Sequence, residues 1–136
     1  MKTLDTQAVK ENLPKILQFI GHELDGINCS QKARIQLETA VEEIFVNISS
    51  YAYDTGTGPA QIRVETVREP AAVIISFIDN GTPYDPLKSY APDKNASLSD
   101  RTKGGLGILL VRKTMTEISY EYKNGSNILT IKKNVE

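Results

Sequence analysis

Seven residues near the middle of the chain, Ala72-Val73-Ile74-Ile75-Ser76-Phe77-Ile78, are rich in β-branched side chains and almost wholly apolar, which marks a short buried strand. A strand of this kind has to be covered by other elements of its own chain, and the flanking sequence supplies them. Gly56, Gly58 and Pro59 break the chain ahead of it; Ile62, Val64 and Thr66 then alternate with polar residues as in a half-buried strand, and Glu69-Pro70 makes the turn of a hairpin. Earlier still, Val9, Leu13, Ile16, Leu17 and Ile20 recur at three- and four-residue spacing, which predicts an amphipathic helix over Thr6 to Leu24, with Pro14 weakening its first turns. The chain pauses at Asp25-Gly26-Ile27-Asn28. Ser30 then fits the N-cap of a second helix with the apolar stripe Leu37, Val41, Ile44, Phe45 and Ile48, running to about Tyr51.

Residues 80 to 104 hold Gly81, Pro83, Pro86, Pro92 and Gly104 among scattered polar residues and follow neither period. A long aperiodic segment inside a compact domain is usually a lid or a binding loop. Periodicity returns with a helix from about Leu106 to Met115, then strands Ile118 to Tyr122 and Ile128 to Lys132 joined by Asn124-Gly125. This order predicts an α+β two-layer sandwich, a mixed and mostly antiparallel sheet covered on one face by three helices. At 136 residues the chain has room for one core, hence a single domain over 1–136.

Charge narrows the partners. A net charge of -1 with 24% charged residues suggests neither nucleic acid nor an anionic membrane. No signal-peptide core opens the sequence, and no apolar run approaches the roughly 20 residues of a membrane span, so a cytoplasmic protein is expected. The lone Cys29 fits a reducing compartment and has no Cys or His neighbours for a metal; it reads as a packing residue.

Three stretches carry chemistry. Glu43 and Asn47 lie four apart on the second helix, so they leave the same face beside the apolar stripe. A carboxylate there suits a general base and an amide oxygen suits Mg²⁺, although a solvated helix edge has the same spacing. Asp79-Asn80-Gly81-Thr82-Pro83-Tyr84-Asp85-Pro86 follows the most apolar strand. A carboxylate at that strand end can accept a hydrogen bond from an adenine amino group and would repel the guanine oxygen, while Gly81 allows close backbone approach; an ordinary turn uses the same residues. Lys103-Gly104-Gly105-Leu106-Gly107-Ile108 ends the aperiodic segment and opens a helix. Free amide groups at such a helix start, with Lys103 and Arg101 nearby, suit phosphate, and a plain glycine hinge is the competing reading.

Together and in this order, the three stretches resemble the Bergerat (GHKL) ATPases. In that superfamily a Glu-x-x-x-Asn box, an Asp-x-Gly box and a Gly-x-Gly box enclose ATP under a lid. The wording Asp-x-Gly-x-Pro-Tyr-Asp-Pro, the run Gly-Gly-Leu-Gly-Ile-Leu-Leu-Val-Arg-Lys, Tyr51-Ala52-Tyr53, Tyr120-Glu121-Tyr122 and Gly125-Ser126-Asn127 are similar to the anti-sigma-factor serine/threonine kinases, over essentially the whole chain. The resemblance implies ATP and Mg²⁺ as cofactors, Glu43 as the base, and Asn47 as the Mg²⁺ ligand. It implies Asp79 as the adenine reader and Gly81 as a shaper of its pocket. Lys103, Gly104, Gly105, Leu106 and Gly107 would form the phosphate turn, and Asn127 would be a further nucleotide contact.

The sequence departs from the family at Pro83, where many relatives have a second glycine, and at Asn127, where many have threonine. The family's partners, a STAS-domain anti-sigma-factor antagonist and a sigma factor, are implied with it, as is a homodimer. His22-Glu23-Leu24 looks like a phosphoacceptor box of sensor histidine kinases, but Asp25 and Gly26 follow and Glu43 comes too soon after it, so it reads as a surface histidine. The competing function is a non-catalytic ATP-binding module that regulates by docking alone. Glu43 argues for the kinase, because a pure binder needs no base. A topoisomerase-type ATPase would need a transducer domain that the chain lacks.

Overall fold

The computed structural model describes residues 1–54, 56–87 and 105–136. Strand β1 (Lys2–Gln7) and a 3-10 turn (Lys10–Asn12) precede helices α1 (Leu13–Leu24) and α2 (Gln31–Tyr51). Strands β2 (Pro59–Arg68) and β3 (Ala71–Asp79), helix α3 (Gly105–Thr114), and strands β4 (Glu117–Lys123) and β5 (Ser126–Asn134) follow. The strands form one sheet in the order β1-β2-β3-β5-β4.

Each pairing among the described strands is antiparallel, so the expected mixed character is absent there. Chain direction explains this. Hairpins β2–β3 and β4–β5 each reverse it, and β5, inserted between β3 and β4, runs against both. The β4–β5 turn has Asn124 at φ 54° and Gly125 at φ 80°, the paired left-handed conformations of a tight hairpin.

The helices share one hydrophobic core with a single face of the sheet. Ile16, Ile20 and Leu24 of α1, Leu37, Val41, Ile44 and Phe45 of α2, and Val111 of α3 meet Ile62, Val64, Val73, Ile75, Phe77 and Ile131. Burying one such side chain fully stabilises the fold by about 1.5–3 kcal/mol. On β3 the burial alternates: Val73, Ile75, Phe77 and Asp79 face the helices, whereas Ile74, Ser76 and Ile78 are half-buried on the opposite face. The apolar run is therefore a central strand with one fully covered face, its other face shielded by neighbours such as the Ser76 Oγ–Thr130 Oγ1 pair at 3.0 Å.

Helix α2 begins where its cap predicts: Ser30 Oγ accepts from the Ala33 amide at 3.1 Å. The N-terminus differs from expectation. Residues 2–7 pair with β2 in the register Leu4↔Ile62, and α1 starts only at Leu13, with Pro14 in its first turn, where a missing N–H costs nothing. Leu4 is the one apolar residue of β1, so an edge strand of this composition leaves no period to read.

Candidate functional site

β3 delivers Asp79, at its C-terminal end, to the helix-covered face of the sheet, where it is only 5% exposed. Its register partner across the β3–β5 pairing is Asn127, 6% exposed. Burying two polar side chains is tolerable only when their buried atoms are paired, and no buried side-chain N or O among the described residues lacks a partner. Asp79 Oδ1 accepts from the Asn127 amide and from the Gly81 N–H, both at 2.9 Å. The Asn127 amide group also reaches Thr82 O at 3.0 Å and Gly81 O at 3.4 Å, while its Oδ1 accepts from the Tyr84 N–H at 3.1 Å and from the Tyr120 hydroxyl. Burial pushes the Tyr120 phenol above its ordinary pKa, the Tyr84 backbone contact opposing it, so the hydroxyl stays a donor.

The end of α2 holds the other side of this loop. Thr82 N–H donates to Ala52 O at 2.9 Å, and a Cβ on Gly81 would lie 2.0 Å from that oxygen, so the position requires glycine for close approach. Tyr53 accepts from Asn80 N–H at 3.1 Å and donates to Pro59 O at 2.5 Å, stitching α2 to both β2 and the loop. Burial raises the Tyr53 pKa as well, partly offset by the Asn80 contact.

Asp79 and Asn127 open onto a mostly apolar cleft whose walls include Ile48, Phe77, Tyr84 and Leu129, with Asn47 on the same lining. One turn back on α2, Glu43 Oε1 accepts from the Asn47 side-chain amide at 3.4 Å, so the Asn47 oxygen is not the end turned to that carboxylate. The Glu43 carboxylate lies against the first turn of α3: a Cβ built on Gly107 would sit 1.9 Å from its Cδ and Oε1. Ile108, the next residue of α3, lines the cleft. The geometry thus brings the strand-end carboxylate, the Asn47 amide and Ile108 of α3 around one mostly apolar concavity, with Glu43 one turn from Asn47 and seated against Gly107.

Gly105 and Leu106 lie in the first turn of α3, whose free N–H groups suit an anion. Lys103 and Gly104, with Arg101 and most of the expected lid at 80–104, lie outside the described residues. An amide oxygen beside a carboxylate is a donor set that suits Mg²⁺, which takes its remaining oxygens from water and phosphates. No cluster of three acidic, His or Cys ligands occurs among the described residues, which offer that ion Asn47 and the neighbouring Glu43 carboxylate.

Sequence reasoning missed the tyrosines as structural parts. The hydroxyls of Tyr53 and Tyr120 and the backbone N–H of Tyr84 tie the loop to its neighbours, roles that their family-like wording in the sequence did not specify. His22 is exposed on α1. Cys29 packs half-buried at the edge of the core, where burial raises its thiol pKa against the pull of Arg34. No helix among the described residues is long and apolar enough to cross a membrane.

Known proteins carry the same arrangement. The family model of the histidine kinase-like ATPase domain matches residues 6–133. The chain is 30% identical over 129 residues to the serine/threonine-protein kinase BtrW of Bordetella bronchiseptica, covering 95% of this chain and 90% of that protein. Its fold superposes on the Acinetobacter baumannii histidine kinase AdeS with a TM-score of 0.52 at 16% identity, over 100% of this chain and 70% of that one. With the box-bearing elements in the order that the fold requires, the chain belongs to the histidine kinase-like ATPase domain family and has the Bergerat fold.

Proposed function

We propose that this chain is an ATP-dependent serine/threonine protein kinase that acts as an anti-sigma factor in the cytoplasm, as a homodimer. Its substrate would be a STAS-domain antagonist, and its second partner the sigma factor released or held according to that phosphorylation. The observation that carries the reading is the seat of Glu43 against Gly107: a carboxylate held at the start of α3 lies beside the turn suited to phosphates. A module that only binds nucleotide has no use for a base at that position. The similarity to a serine/threonine-protein kinase along 95% of the chain supports the same class.

In this reading the adenine enters the apolar cleft with its amino group on Asp79, and the phosphates reach the first turn of α3. Glu43 takes the proton from the attacking serine or threonine hydroxyl as the new O–P bond forms and ADP leaves. Mg²⁺, where bound, would sit at Asn47 and neutralise phosphate charge. Positioning and charge stabilisation supply most of the rate.

The test is transfer of labelled phosphate from ATP to a STAS protein encoded beside this chain. Glu43→Ala is expected to slow transfer by about 10²–10⁴-fold, the range for a lost general base, with ATP affinity retained. Equal rates for variant and parent would remove the base assignment; binding without transfer in the parent chain would favour the docking-only module.

A further inference from the structure

The Asp79–Asn127 pair carries a consequence for base selectivity that resides in Asn127. An asparagine amide has two N–H donors and an oxygen with two acceptor sites. In this chain all of them are engaged by the protein: the nitrogen serves Asp79 Oδ1, Thr82 O and Gly81 O, and the oxygen serves Tyr84 N–H and the Tyr120 hydroxyl. No group on Asn127 is left for a ligand. The amide is also fixed in its orientation, because a backbone N–H can only donate, so the end facing Tyr84 has to be the oxygen. The nitrogen then faces Asp79.

Asp79 Oδ1 consequently receives two donors, from Gly81 and Asn127, while no hydrogen bond among the described residues reaches Oδ2. The carboxylate presents one fixed acceptor to the cleft. Resting on the reading of Asp79 as the adenine contact, the geometry points to Asn127 as the positioning residue for base selectivity. It does not touch the nucleotide; it clamps Asp79 so that a single oxygen meets the base edge, and it ties the 81–84 backbone to β5 at the same time. A base with an amino group there gains a bond, and a base with a carbonyl oxygen meets an acceptor that cannot turn away.

The experiment measures Kd for ATP and for GTP, with Mg²⁺ and without any protein partner, in the parent chain, Asn127→Leu, Asn127→Asp and Asp79→Asn. Asn127→Leu is expected to lower the ATP preference over GTP at least tenfold. Asn127→Asp keeps the acceptor half of the amide and sets two carboxyls face to face, so its ATP preference is expected to fall at pH 8 and to recover as pH drops and the pair takes up a shared proton. Because protonation of the pair also restores stability, the ratio is read only at pH values where circular dichroism shows Asn127→Asp folded.

An unchanged ATP/GTP ratio in both Asn127 variants, with Asp79→Asn losing it, would overturn the proposal and leave Asp79 as the reader. An unchanged ratio in Asp79→Asn as well would overturn the adenine assignment itself. Should circular dichroism show the Asn127 variants unfolded, Tyr120→Phe removes one bond from the oxygen end with little change in packing; a ratio about threefold lower supports the clamp, and a parental ratio overturns it.

Discussion

Gly81 and Gly107 both stand where a Cβ would collide, yet the two collisions differ in kind. At Gly81 the obstacle is the Ala52 backbone oxygen, 2.0 Å away, on a helix end that also accepts the Thr82 N–H. Nothing there can give. Gly81→Ala is expected to cost about 1–3 kcal/mol of stability by overpacking, read as a lower urea midpoint, with weaker ATP binding. At Gly107 the obstacle is the far end of the Glu43 side chain, which can swing aside. Gly107→Ala is therefore expected to fold with a melting temperature close to the parent's, since the clashing side chain can move and alanine is the better helix former. Its phosphotransfer is expected to drop at least tenfold because the carboxylate is displaced, and phosphotransfer at the parental rate would show that Glu43 need not rest there.

Among the elements, α2 does most to build the site: it carries Glu43 and Asn47, and its end holds the Asp79 loop through Ala52 and Tyr53. Its start depends on one hydroxyl. Ser30→Ala is expected to lose about 1 kcal/mol in denaturant unfolding, with m unchanged, because the Ala33 amide is left uncapped. This cap was legible from sequence, as were α2, both hairpins and the Asn124-Gly125 turn, because each is fixed by local chemistry: a capping hydroxyl, a 3.6-residue stripe, left-handed turn residues. β1 was not legible. Its pairing with β2 is decided by a partner more than 50 residues away, as Gln61 Nε2 on Asp5 Oδ1 illustrates, and its own side chains are nearly all polar. Val9 meanwhile fitted the helical period of α1 without belonging to it, which drew the predicted helix start back to Thr6.

For the molecule as a whole, pH separates the tyrosines from the remaining site. The phenols of Tyr53 and Tyr120 bind their protons more tightly in the folded chain than in the unfolded one. The stability they carry is full below about pH 10, the unfolded value, and is lost as pH rises past it toward the raised folded values. The urea midpoint is expected to decline on that alkaline side, and a Tyr53→Phe, Tyr120→Phe double variant to decline less steeply between pH 9.5 and 11 (roughly the window set by the ordinary tyrosine value); parallel curves would mean that the shifts carry no stability. The candidate residues Glu43, Asn47, Asp79, Gly81 and Gly107 were nameable from sequence because their spacing is a chemical pattern. The full engagement of Asn127 was not, since it depends on five partners brought in by β3, β4 and the loop.

Asp79 and Asn127 face each other across the β3–β5 pairing, the seam where two hairpins that are each local in sequence come together. The hairpins can form early, but closing the seam joins residues 48 apart and has to meet its loop-closure entropy first. The Asp79–Asn127 end of the cleft therefore comes into existence only once that long-range pairing has closed. Nucleotide, binding the joined state alone, adds about 2.7 kcal/mol at a hundredfold excess over its Kd. In the proposed role ATP would be a strut across the seam as well as a phosphate donor, and the chain's resistance to unfolding would track the nucleotide supply around it.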